Sequence, residues 1–187
     1  MSETWLVDFD AWLARMAGQP LPGGVSAAAL AAAMGAALSA KAARLTLARR
    51  PLADGERDML RAVLVLAKDQ CTTLRKLASD DERAYRAVLD ARERAEHDAS
   101  WRRAWQRAIE VPLQMAEACH SLRDRLSAVD RVCWPPVRAD LRVGVWLLDC
   151  GMQAGHQAVE CNLRVWGDGP QAQEFQLRLD ALEAELD

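Results

Sequence analysis

The sequence has no Cys-x-x-Cys pair, no stretch of alternating apolar and polar residues, no internal repeat and no marked excess of charge of either sign. Each absence narrows the field. Without alternation there is no signature of a half-buried strand, so the chain reads as helical nearly throughout. The formal net charge of −3 leaves no electrostatic footprint for nucleic acid, and no such partner is expected. The five cysteines Cys71, Cys119, Cys133, Cys150 and Cys161 are odd in number and show no paired spacing, which reads as reduced thiols in a cytoplasmic protein. Met1-Ser2-Glu3-Thr4-Trp5 has no basic segment, so no secretory signal is expected. The small-residue run from Ser26 to Ala43 has the look of a membrane span. Lys41 and Arg44 interrupt it and alanine is only weakly hydrophobic, so no membrane partner is expected.

What is present is a single domain's worth of chain, residues 1–187, read as an all-α bundle of five to six helices, several of them long. A first amphipathic helix runs through Met16, with Trp5, Phe9, Trp12 and Leu13 on one face, and Gly18 stops it. A second spans about Val25 or Ser26 to Arg49, with Ser26 as its cap or in its first turn. A third runs from about Asp54 to Ala91 and a fourth from about Ser100 to Val129. Pro112 falls inside the fourth, where a kink or break is expected. Cys133-Trp134-Pro135-Pro136 is a loop, and a fifth helix extends from about Val137 to Val165. A short helix with Phe175, Leu179, Leu182 and Leu186 as its apolar stripe closes the chain. The second and fifth helices are apolar on more than one face and must be covered all round, which predicts a homodimer.

The chemistry-bearing segment is Pro20-Leu21-Pro22-Gly23-Gly24-Val25-Ser26, which feeds directly into Ala27-Ala28-Ala29-Leu30. Such a loop offers free backbone N–H groups and the positive end of a helix dipole. The small residues behind it permit close approach of another helix or of a flat ligand. Glu117 and His120 form one Glu-x-x-His pair, but a di-iron bundle needs two plus further glutamates, so no metal is expected.

This segment stands in a wider order. It is followed by Met34-Gly35-Ala36-Ala37-Leu38 and Ala43-Arg44-Leu45-Thr46-Leu47. Downstream come Asp80-Asp81-Glu82-Arg83-Ala84-Tyr85, Val111-Pro112-Leu113, Asp140-Leu141-Arg142-Val143-Gly144 and Asn162. The order resembles the cyclodeaminase/cyclohydrolase family, which includes the cyclodeaminase domain of formiminotransferase-cyclodeaminase and a bacterial methenyltetrahydrofolate cyclohydrolase. The resemblance implies an all-helical homodimer that holds a reduced folate near the glycine loop and acts at the carbon bridging N5 and N10. It implies no separate cofactor, since the tetrahydrofolate derivative is the substrate. It also favours the cyclohydrolase reaction, no transferase domain being attached. A catalytically impaired folate-binding or regulatory dimer is the alternative.

By the same resemblance Asp81 and Asp140 are the candidate catalytic acids, and Pro22, Gly23, Gly24, Ser26 and Asn162 are candidate substrate contacts. Asp81 and Tyr85 stand at i and i+4, so both can face one cleft; the alternative is a solvated acid beside a core tyrosine. Arg49 and Arg50 can hold the glutamate tail of folate or simply complement the dipole of a helix end. Lys41 reaches solvent along its stem or, if buried, serves proton transfer. Asp140 is a helix cap or a ligand contact. Asn162 is a ligand contact or a structural bridge. The chain departs from the family pattern at Val25, where a third glycine is usual, and at Arg86, Trp134-Pro135-Pro136, Ala139 and Ala158. Val25 would be strained if that position required a positive φ.

Overall fold

The computed structural model describes the backbone of residues 4–91 and 98–184 and the side chains of residues 8–91 and 98–182. Those residues form six α-helices: α1 (Thr4–Gly18), α2 (Gly24–Arg49), α3 (Asp54–Ala91), α4 (Ala99–Val132), α5 (Arg138–Trp166) and α6 (Pro170–Ala184). A 3₁₀ turn, Pro135–Val137, joins α4 to α5. No strand occurs among the described residues. The expected helix ends hold to within about three residues, as local capping and glycine or proline punctuation would dictate. Trp5 and Leu186 lie outside the described side chains.

Helices α2 to α5 form an antiparallel four-helix bundle. Ser26 near the start of α2 meets Ala78 and Asp81 late in α3. Asp80 of α3 meets Arg107 early in α4, while Gln70 meets Ser121 further along. Arg123 of α4 meets Asp149 of α5. The core is built from Leu60, Leu74, Val111, Met115, Leu122, Leu126, Leu141 and Leu148 together with many alanines of α2. A second cluster of Trp101, Ile109, Leu113, Val159, Trp166, Phe175 and Leu179 fixes α6 across α4 and α5. Arg178 reinforces it with paired hydrogen bonds to Glu110 and Glu117.

Small residues set how close α2 and α5 come. A Cβ placed on Gly35 would lie 2.7 Å from the Gly144 carbonyl oxygen, and one on Gly144 would lie 2.9 Å from the Gly35 carbonyl oxygen. Gly151 likewise meets Ala32 and Cys119, and Gly155 meets the Pro112 carbonyl. The low side-chain volume of α2 is thus a packing device.

One expectation is corrected and one conditional reading is settled. Helix α4 runs unbroken through Pro112. Proline cannot donate to the carbonyl four residues back, Ala108, and the Asn162 side-chain amide of α5 donates to that oxygen at 2.7 Å instead. Val25 is not strained. Gly23 is the N-cap with φ −99°, α2 already begins at Gly24, and among the described residues only Gly167 and Gly169 have glycine's positive φ.

The close crossing generates a stability prediction. Gly35→Ala pushes a methyl into backbone and should cost about 1–3 kcal/mol. Gly55→Ala, where nothing lies within 4 Å of an added Cβ, should be neutral or slightly stabilising. Urea unfolding of the two variants checks both.

Candidate functional site

The loop Gln19–Gly23 drops into α2 through a cis Leu21–Pro22 bond, with Pro22 buried. The first turn of any helix has N–H groups without intrahelical partners. Here one of them meets an acid. The Ser26 hydroxyl, itself buried, donates to Asp81 Oδ2 at 2.6 Å and lies 3.2 Å from the Ala78 carbonyl oxygen. The Ser26 backbone N–H also donates to the Asp81 carboxylate. The first turn of α2, into which the glycine loop feeds, and Asp81, 55 residues from Ser26 in sequence, are therefore in direct contact.

Burial raises the Asp81 carboxyl above the ordinary aspartate range. The two Ser26 hydrogen bonds oppose this and repulsion from Glu82 adds to it. Desolvation dominates because it penalises the charged form directly. The adjacent Asp80 has a different fate. One residue along a helix turns its side chain by about 100°, toward α4, where Arg107 of α4 and Arg83 of its own helix pair with it. One aspartate is neutralised by two guanidinium groups, and the other faces α2 with a hydroxyl and an N–H. Tyr85, one turn beyond Asp81, is partly exposed rather than in the core. Glu82 is tied to Arg15 of α1.

The remaining sequence candidates lie elsewhere. Lys41 is half-exposed and pairs with Asp140 of α5 at 2.7 Å; it is not a buried amine. It stands 15 residues after Ser26 on the same helix, about 22 Å away along the axis. Arg49 and Arg50 are at the far end of α2. The Arg50 guanidinium donates to the Val132 carbonyl at 2.7 Å, and Arg49 sits over the Trp134 ring. Both therefore fasten α2 to the α4–α5 connection, remote from Asp81. Asn162 has its amide nitrogen committed to Ala108, as described above. The roles of Arg107 and Arg83 in neutralising Asp80 were not legible in the sequence, where they look like any other solvated cations.

Among the described residues the other titratable groups offer no rival centre. Burial pushes the Cys119 thiol up to about 12, so it is an inert core residue. All five cysteines are free thiols. Glu117 is engaged by Arg178, and no group of three potential metal ligands gathers among the described residues. Among the described residues one helix, Gly24–Arg49, is long and apolar enough to cross a membrane, and half of its most apolar window is buried in the bundle.

Comparison with known proteins places this arrangement. The family model described as formiminotransferase-cyclodeaminase matches residues 9–181. A methenyltetrahydrofolate cyclohydrolase from Methylorubrum extorquens is 30% identical over 174 residues, spanning 89% of this chain and 83% of that protein. The crystal structure of a formiminotetrahydrofolate cyclodeaminase from Thermotoga maritima superposes with a TM-score of 0.84 at 20% identity, covering 98% of this chain and 89% of the other. The last likeness is one of fold.

The Asn162 bridge predicts a coupling. Asn162→Ala orphans a buried carbonyl and should cost about 1–3 kcal/mol. In a Pro112→Ala background the restored N–H takes over that carbonyl, so the cost should shrink markedly. Denaturant titrations of the four proteins in the cycle measure it.

Proposed function

We propose, on the premise that this chain belongs to the formiminotransferase-cyclodeaminase family, that it is a one-carbon folate enzyme whose reaction is hydrolysis of methenyltetrahydrofolate. Cyclodeamination of formiminotetrahydrofolate, which acts at the same bridging carbon, is the neighbouring possibility. The cyclohydrolase reaction is favoured because the relative that shares 30% identity bears that name. The observation that carries the reading is the contact between Ser26 and Asp81 at 2.6 Å. It sets a carboxylate of raised pKa against the first turn of α2.

The chemistry follows from that placement. The substrate carries an electrophilic amidinium carbon between two nitrogens. Water attacks this carbon and loses a proton to the Asp81 carboxylate, giving a neutral hydroxyl adduct. A proton then reaches one nitrogen, that C–N bond breaks, and the adduct's hydroxyl loses its proton to become the formyl oxygen. Overall one water is consumed and one proton released. Asp81 also opposes the positive charge of the amidinium, an electrostatic role alongside its role as base. Gly23 and Gly24 supply backbone N–H donors for the polar edges of the pterin, and Ser26, whose hydroxyl is given to Asp81, acts by holding that acid. Asp140 and Lys41 would act together, as the pair they form. The protein works as a cytoplasmic homodimer in this reading, supported by its free thiols and by an outward face of α2 on which Met34 is 56% exposed.

Loss of the near-UV band of methenyltetrahydrofolate measures turnover. Wild-type protein should accelerate it above the buffer rate, and Asp81→Asn should lose about 10²–10⁴-fold with its melting temperature retained. Because the folded pKa of Asp81 is raised, the active carboxylate is lost as pH falls through that raised value. The acid limb of kcat/KM should therefore sit above the ordinary aspartate range. No acceleration by folded protein excludes the cyclohydrolase. Ammonia release from formiminotetrahydrofolate would then assign the cyclodeaminase. Calorimetric folate binding without turnover would assign the impaired binding protein, which the departures at Trp134-Pro135-Pro136, Ala139 and Ala158 favour.

A further inference from the structure

A groove of about 680 Å³ runs between the later part of α3 and the start of α4. Four cations line it, Lys76 and Arg83 from α3 and Arg103 and Arg107 from α4, against two acids, Asp80 and Asp90. The groove is therefore net positive by two charges, in a chain whose net charge is −3. Asp80 is the acid of its floor, with a side chain only 8% exposed, paired with Arg83 and, at 3.0 Å, with Arg107. A guanidinium carries several N–H donors in a rigid fork, so both arginines keep donors that Asp80 does not use. Lys76 and Arg103 are exposed and have no ion pair or hydrogen bond among the described residues. Gathering like charges costs energy, and the acids of the groove offset only half of these cations.

The groove is ordered along its length. α3 and α4 run antiparallel here, with Asp80 against Arg107. In that register Arg103, one turn earlier on α4, stands opposite Arg83, and Lys76 stands one turn before Asp80. The cations thus gather around Asp80. Asp90 lies seven residues beyond Arg83 on the same face of α3, about 10 Å further along. Between the cations and Asp90 the walls are Ala84, Ala87 and Ala91 of α3 and Ala104 of α4. Their methyl groups leave a level apolar surface where longer side chains would fill the space. The groove opens on the flank of α3 that faces α4, whereas Asp81 turns to α2, so it is separate from the candidate active site.

This order specifies an occupant in three parts: an anionic head for the cations, a flat body for the alanines, and hydroxyl or amino donors for the Asp90 carboxylate. A phosphate monoester carries about −1.5 to −2 charge and three acceptor oxygens, which matches the charge of the groove and allows several guanidinium groups to be engaged at once. We propose that the groove binds a nucleoside monophosphate. Its phosphate lies against Arg83, Arg103 and Arg107 with Lys76 beside them, its base covers Ala84, Ala87 and Ala104, and its outer donors reach Asp90.

Calorimetry on the full chain with AMP, adenosine and inorganic phosphate tests this, beside melting temperatures that establish folding. AMP should bind more tightly than adenosine or phosphate, and its affinity should fall as salt is raised. Arg103→Glu and Lys76→Glu, which have no partner to lose among the described residues, should each weaken AMP about tenfold or more. Lys68→Glu makes the same charge change on α3 outside the groove and should leave AMP binding unchanged. Asp90→Ala should weaken AMP but not inorganic phosphate. No AMP binding by folded wild-type protein overturns the proposal. Equal losses from Lys68→Glu and Arg103→Glu overturn it as well, since general charge attraction then accounts for the binding. Phosphate that binds as tightly as AMP overturns the nucleotide and leaves an anion site. The readout is binding alone, so it decides the groove whether or not the protein turns over a folate.

Discussion

The close crossing of α2 on α5 governs the rest of the molecule. Two glycines, Gly35 and Gly144, bring the helix backbones to a separation that no side chain could share. Alanines at 28, 29, 32, 33, 36, 42 and 43 let neighbouring helices close around α2 as well. A helix with so little side-chain volume gains stability by nearness to its neighbours more than by area per residue. Its position must therefore be fixed from outside. Arg50 and Thr46 do this at one end by bonding the Val132–Trp134 segment. At the other end Ser26 does it by bonding α3.

That second anchor is also the candidate catalytic feature. A helix start presents N–H donors and positive potential, and α3 presents Asp81 to it. The carboxylate is partly removed from water, and the penalty for its charge outweighs the donors that Ser26 supplies. Asp80 shows how sharply environment divides like residues. It is more deeply buried than Asp81, yet it is compensated by Arg83 and Arg107. The same local sequence thus yields a structural ion pair and an acid of raised pKa, separated by a single step along the helix.

Most of the fold was legible in the sequence. Helix ends at Gly18, Arg49, Ala91 and Trp166 were marked by glycine, proline and the loss of apolar periodicity, all short-range signals. The resemblance named Ser26 and Asp81 separately as site candidates, and in the structure the two side chains meet. For Arg49 and Arg50 the sequence left a ligand's glutamate tail and a helix end as alternatives, and the structure sets both against the α4–α5 connection. A cation near a helix end looks the same in sequence whether it meets a ligand or a carbonyl of the next loop. The break expected at Pro112 likewise ignored what a neighbouring helix can supply. Asn162 fills the vacancy that proline leaves, from 50 residues further along the chain.

The amino-acid order determined the helices, their ends and the small-residue seam, because each of these depends on neighbours within a turn or two. It also determined family membership, through an ordered set of short motifs. Packing decided which aspartate meets Ser26, which carbonyl receives Asn162 and which cations are consumed in joining elements. Those contacts link residues tens of positions apart, and the register between helices that sets them emerges only when side-chain volumes are fitted together in three dimensions.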